Sequence, residues 1–411
     1  MTTTVRSTTL GLEASLIRPH LTSISQLPEV AAALEDLPTL SRKASTGVVD
    51  SLRRAGDIFA SFSKGGPEHL AILALLAEVQ QTISLDYNGA RQTVEHLRQC
   101  IFDATTSSSA VRIEVSLALA KILWMQGDFA SCFQHTQALK DDDNTTSDSP
   151  EEDLPMHAAA IENAHVLSTL MHEGPTAART AALSLDMVGL PAPAQAAQCL
   201  NLGVVEALWG LSNTNCEGDV TCSTQFDTAK QTWKQGLDLL LSADESVNTP
   251  LRYALEGRLQ SNLAYSVLQY AGRNETQIST ASQHARDALK ALEHIRSDDV
   301  TLPDEGWIRA LTLVAQCYHR AGHAVIAEGL LQSALDEAHP VTETTAPLIL
   351  ERRAAYQAYA ALCKDWEKRQ GDADRFLAQN QKMTSELKGG WKDATEVHSS
   401  LWFWTPTKFL S

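Results

Sequence analysis

The stretch from Trp307 to Pro340, WIRALTLVAQCYHRAGHAVIAEGLLQSALDEAHP, limits the folds open to this chain more than any other. Leu311, Val314, Ala315 and Tyr318 recur at i, i+3, i+4 and i+7, which makes one apolar stripe along a helix. Gly322 interrupts the pattern. Ala327, Leu331 and Ala334 then form a second stripe, with small side chains where two helices would cross closely. Pro340 ends the segment, because proline lacks the N–H that a helical ladder needs. The segment reads as a helix, a tight turn and an antiparallel helix. Such a hairpin cannot bury its apolar face alone and calls for neighbours on either side.

Those neighbours are present as worn copies. Glu68 to Ile101 places Ile72, Leu75, Leu76 and Val79 on one helix and Tyr87, Ala90, Val94 and Leu97 on the next. Val111 to Lys140 carries Leu119, Ala120, Leu123 and Trp124 before the turn Gly127-Asp128-Phe129, with Ser109 as the expected cap. Further pairs run from Met156 to Val188, Gln195 to Leu241 and Pro250 to Ile295. A last pair runs from Thr345 to Leu387, with its turn at Gly371-Asp372. An amphipathic helix from Ser45 precedes them, with Val48, Val49, Leu52, Ala55, Ile58, Phe59 and Phe62 on one side. Strand alternation is almost absent. Asn88-Gly89 sits in helical spacing, so it is not read as a hairpin.

The recurring hairpin of about 34 residues resembles the tetratricopeptide repeat (TPR) family. Val314-Ala315, Tyr318, Gly322, Ala327, Leu331 and Ala334 occupy the family's signature places. Leu331 stands where an aromatic is usual, Cys132 where alanine is preferred, and Pro340 comes one residue late. The resemblance covers roughly residues 68 to 387. It implies an all-α, right-handed superhelix of antiparallel helix pairs, and a non-enzymatic protein-binding scaffold or adaptor. The alternative is a constitutive subunit of a large multiprotein complex, its groove permanently filled. Trp124, Gly127, Phe129, Trp233, Tyr318, Gly322 and Ala327 are the residues expected to shape repeat packing. Chaperone-binding members hold a peptide carboxylate with Lys, Asn and Arg. Leu75 and Val79 in one pair, and Leu117 and Lys121 in the next, argue against that clamp here.

The organisation expected is an N-terminal segment over 1–44, a solenoid over 45–387 and an aromatic tail over 388–411. Leu401-Trp402-Phe403-Trp404 in that tail needs burial. It either caps the last pair or anchors a partner, with Trp402, Phe403 and Trp404 as the contact residues. Contact with a membrane surface through Lys408 is the third reading. Asp141 to Asp153 is an acidic linker, and Gly210 to Thr224 is a longer insertion.

The net charge of −17 argues against a nucleic-acid surface, which needs clustered Lys and Arg. No apolar run is long enough for an integral membrane segment. Seven scattered cysteines and no secretory signal imply free thiols and a cytoplasmic setting. Met1 to Pro28, rich in Ser and Thr with Arg6 and Arg18, partly matches a transit peptide, which leaves a mitochondrial or other organellar location as the alternative. Cys216 and Cys222 are read as thiols before disulfide or metal. His319 and His323 flank a turn and are not read as a metal pair. No phosphate loop, zinc motif or nucleophile elbow occurs, so no catalytic residue, cofactor or metal is expected.

Overall fold

The computed structural model describes residues 12–36, 45–82, 84–103, 108–143, 154–183, 185, 187–212, 222–243, 249–272, 274–295, 305–336, 345–395, 397–401 and 403. Among them there are seventeen α-helices and no strand. The chain is an all-α helical array. It divides into two compact units, residues 12–168 with Phe403, and residues 169–401. Trp402, Trp404, Pro340, Cys216, residues 144–153 of the acidic linker and residues 213–221 of the insertion lie outside the described residues.

The first unit opens with single turns over Glu13–Ile17 and Arg18–His20, then α1 (Leu21–Ile24) and α2 (Pro28–Asp36). Leu12, Leu16, Ile17 and Ile24 are buried in this stretch, which lies against α4 (Pro67–Thr82). The Leu12 N–H donates to Glu78 Oε1 at 3.0 Å. Between α2 and α4 runs α3 (Ser45–Ser63), which buries Val48, Val49, Leu52 and Ala55. Phe62 departs from the expected stripe. It sits in the last turn of α3 and is 83% exposed.

The array continues through α5 (Tyr87–Asp103), α6 (Ser109–Gln126), α7 (Phe129–Asp143) and α8 (Leu154–His172), inside which the first unit ends. Asn88-Gly89 lies within the first turn of α5, with Asp86 Oδ1 accepting from the Gly89 N–H. The cap of α6 is Ser108 and not Ser109: its Oγ accepts at 3.3 Å from the N–H of Val111, the third helical residue, as capping geometry requires. The Gly127-Asp128-Phe129 turn divides its work. Gly127, at φ +75°, closes α6 with its N–H on Trp124 O. Asp128 caps α7 by accepting from the Ser131 N–H. Phe129 packs its ring 5.1 Å from Trp124.

The second unit holds α9 (Pro175–Ala182), α10 (Ala192–Ser212), α11 (Cys222–Ser242), α12 (Thr249–Ala271), α13 (Glu275–Glu293), α14 (Glu305–Arg320), α15 (Ala324–Asp336), α16 (Ala346–Lys364) and α17 (Gln370–Glu386). Two rows result. In the inner row α10, α12, α14 and α16 each touch the next. In the outer row α11, α13, α15 and α17 each pack on their own inner partner, and the first three also reach the following one. Their burial differs accordingly. On α13 the buried residues, from Ile278 through Ala281, Ala285 and Ala288 to Leu292, make a single stripe. On α14 every residue from Ile308 to Ala315 is buried, so the helix is enclosed on all sides.

The last pair turns earlier than its glycine suggests. The chain reverses over Asp365–Arg369, and Gly371 lies in the first turn of α17. Arg369 holds this turn by bonding both Glu328 of α15 and Asp372 of α17. After α17 the chain continues as two short 3-10 turns, Gly389–Asp393 and His398–Ser400, separated by extended residues such as Ala394.

Candidate functional site

The residues read as repeat-packing positions fall where pairs meet within each unit. Trp233 of α11 is buried, and its Nε1 donates to Leu200 O of α10 at 3.1 Å. The indole lies on Gly203; a Cβ there would stand 2.2 Å from Nε1, so only glycine admits this crossing. Tyr318 receives a hydrogen bond on its hydroxyl from Arg286 at 2.9 Å, and its ring meets His323 edge-on. Gly322, at φ +84°, forms the turn between α14 and α15, and Ala327 is fully buried. His319 and His323 take separate partners: His319 Nε2 lies 2.7 Å from Asp365 Oδ2. In the first unit Trp124 lies between Phe129 and Phe403, the latter ring 6.1 Å away and itself buried.

The inner row of the second unit carries a feature that repeat reading missed. Three of its helices place a polar side chain at one point. Arg309 of α14 donates to Glu351 Oε1 of α16 at 2.9 Å and to Asn262 Oδ1 of α12 at 3.0 Å. It also donates to Ser399 Oγ at 3.2 Å, while the Ser399 hydroxyl donates to Glu351. The guanidinium stands 5.4 Å from the Tyr265 ring centre. All four polar residues are buried, Arg309 and Glu351 to 5% and 2% exposure. A buried charge is tolerated only when paired and hydrogen-bonded, and this one is both. A second buried ion pair, Arg258 with Glu305, joins α12 to α14.

Ser399 is the guest in this cluster, since it comes from beyond the last helix. The segment that carries it buries Trp391, Ala394, Val397 and Leu401. Arg353 of α16 donates to Ala394 O at 3.5 Å. The turn His398–Ser400 lies against both α10 and α16, and Ser399 bonds to α14. The C-terminal segment thus lies across α10, α14 and α16 of the inner row.

The polar groups of the cluster satisfy one another. Arginine and glutamate neutralise each other and together present one donor site and one acceptor site to a hydroxyl. Among the described residues no group of three or more His, Cys, Asp or Glu side chains is arranged to hold a metal ion. The buried thiols are unactivated: burial raises Cys132, and raises Cys199 and Cys317 to about 11. Among the described residues no helix is long and apolar enough to cross a membrane.

A signal for the cluster was present in the sequence. Arg309 interrupts the apolar run around Ile308 and Ala310–Leu311, and Glu351-Arg352 follow directly on Leu348–Leu350, within stretches buried residue after residue. Charges in such runs mark places where another segment must arrive to satisfy them. Compared with known families and curated proteins, the chain matches no family model and no curated sequence.

Proposed function

We propose that this protein is a non-enzymatic protein-binding scaffold of TPR-like construction, with the inner row of the second unit as its binding face. One observation carries this reading: that row, through α10, α14 and α16, holds a stretch of polypeptide outside the α-helices in place by side-chain contacts. A surface that seats one such segment has the depth, apolar area and buried polar anchor that peptide recognition uses. The right-handed coil of the TPR family belongs to the same reading. Among the described residues the buried free thiols Cys100, Cys132, Cys199, Cys317 and Cys363 suit a reducing, cytoplasmic setting. The acidic balance favours protein partners over nucleic acid.

The test is native capture on the full chain followed by chemical cross-linking and peptide mapping. Cross-links from a retained protein to α10, α12, α14 or α16 support the scaffold. Retained proteins that cross-link only to the outer row would move the function to the other face.

A constitutive-subunit reading is favoured by a different observation. The inner helices are enclosed on all sides, as α14 is, so a face filled by the chain itself leaves the outer row for assembly. Val325 and Ile326 at the start of α15 are exposed there, at 77% and 49%. Loss of assembly on replacing both with serine, with the fold unchanged by circular dichroism, would select this second reading.

A further inference from the structure

We infer that residues 391–395 and 397–401 are a displaceable self-ligand, seated where a partner segment of the same chemistry binds. That chemistry is a serine or threonine hydroxyl flanked by apolar side chains on a backbone of short 3-10 turns. The inference rests on the scaffold reading above and names its ligand class and its gate.

Five backbone N–H groups of the segment have their partners within it or just before it. The N–H groups of Trp391, Ala394, His398, Ser400 and Leu401 donate to carbonyls inside the segment or to Lys388 just before it. No ladder of backbone bonds ties these groups to α10, α14 or α16. An unpaired buried backbone group is a large penalty for any segment that pulls away, and here those groups carry their partners with them. Side chains that hold the segment include Ser399 on the Arg309–Glu351 pair, Arg353 on the Ala394 carbonyl, and the apolar Trp391, Val397 and Leu401.

The face left behind sets the chemistry of a replacement. Arg309 and Glu351 remain paired and keep Asn262, so the pair stays neutral and loses the Ser399 hydroxyl. A ligand carboxylate would face Glu351, and a ligand lysine would face Arg309. A neutral hydroxyl satisfies both. The apolar surface on either side of it must be covered again, because the inner helices bury residues all round.

The test uses the full chain. Native-state hydrogen exchange should find the amides of 391–401 exchanging at least about tenfold faster than those of α14 and α16, because release opens the segment alone. Exchange of the segment in step with those helices makes it permanent core and overturns the inference. The second arm is a labelled peptide, ATEVHSSLWF, corresponding to residues 394–403. Ser399→Glu, which sets a carboxylate against Glu351, should admit the peptide at least about tenfold more tightly than the wild-type chain does. Alanine at the first serine after the histidine in the peptide should reverse about that gain. Equal binding to both chains, or none to either, counts against a displaceable segment. If Ser399→Glu does not fold, the wild-type exchange result decides. Fast exchange of the segment with no protein captured on the inner row would sink the scaffold alone. Slow exchange with capture intact would sink this inference alone.

Discussion

Single side chains decide how closely the helices approach. Gly203 is the sharpest case, since the Trp233 ring occupies the space a Cβ would need. Gly203→Ala should destabilise the chain by roughly 1–3 kcal/mol through overpacking, read as a lower denaturant midpoint. An unchanged midpoint would mean that the indole has room to swing, contrary to its bond to Leu200 O. His284 gives a pH effect. Burial lowers its pKa, the Lys234 charge adds to this, and Asp287 opposes. Its folded pKa thus lies below the unfolded value of about 6.5. The unfolded chain then binds more protons, so the contribution is present above about pH 6.5 and lost as pH falls through the folded pKa. The midpoint of thermal unfolding should drop between about pH 7 and pH 5.5, and His284→Gln should shrink that drop. An identical slope in both proteins would remove His284 from the account.

At the scale of the element, the inner helices are joined by a charge pair that neither helix tolerates alone. Glu351→Gln leaves Arg309 buried without its counter-ion and should cost about 3–5 kcal/mol. The double replacement Arg309→Met with Glu351→Leu should cost less, because no charge is then stranded. Urea titration of both proteins separates the outcomes; an equal or larger loss for the double variant would show that packing, not charge, dominates there. This element also marks the limit of sequence reading. The helix pairs were legible because periodicity is local: Leu311, Val314 and Ala315 lie within one helix, and Gly127 and Gly322 punctuate at positive φ. The Arg309 cluster was not. Its partners lie 42, 47 and 90 positions away, and no spacing rule links them. The missed cap at Ser108 and the missed turn at Asp365 are smaller errors of local origin. Adjacent serines are equal candidates until the backbone is fixed, and a glycine signals a turn even where a helix can absorb it. Phe62 erred otherwise: its spacing was helical, but the helix ended before a neighbour covered it.

At the scale of the whole molecule, stability is carried by neighbours. Each helix pair covers the face of the one before, so damage should spread to adjacent pairs first. Phe376 stacks on Tyr359 with ring centres 4.1 Å apart, joining α17 to α16. Phe376→Ala should destabilise this end by about 3–5 kcal/mol. Hydrogen exchange should quicken in α15 and α16 well before α10 and α11. Uniform quickening across the second unit would make it one cooperative block and contradict nearest-neighbour stacking.

The position of Ser399 also has a meaning in time. Translation runs from the N-terminus, so α10, α12, α14 and α16 are all made before the residues that cover them. During that interval the growing chain presents an apolar inner face with one hydroxyl missing from its centre. Chaperones that scan nascent chains for such surfaces have their opportunity then, and a message that stops after Glu386 would leave the face uncovered for good. Truncations beyond α17 should therefore appear first as a defect of solubility during synthesis, before any loss of helix content in the purified chain.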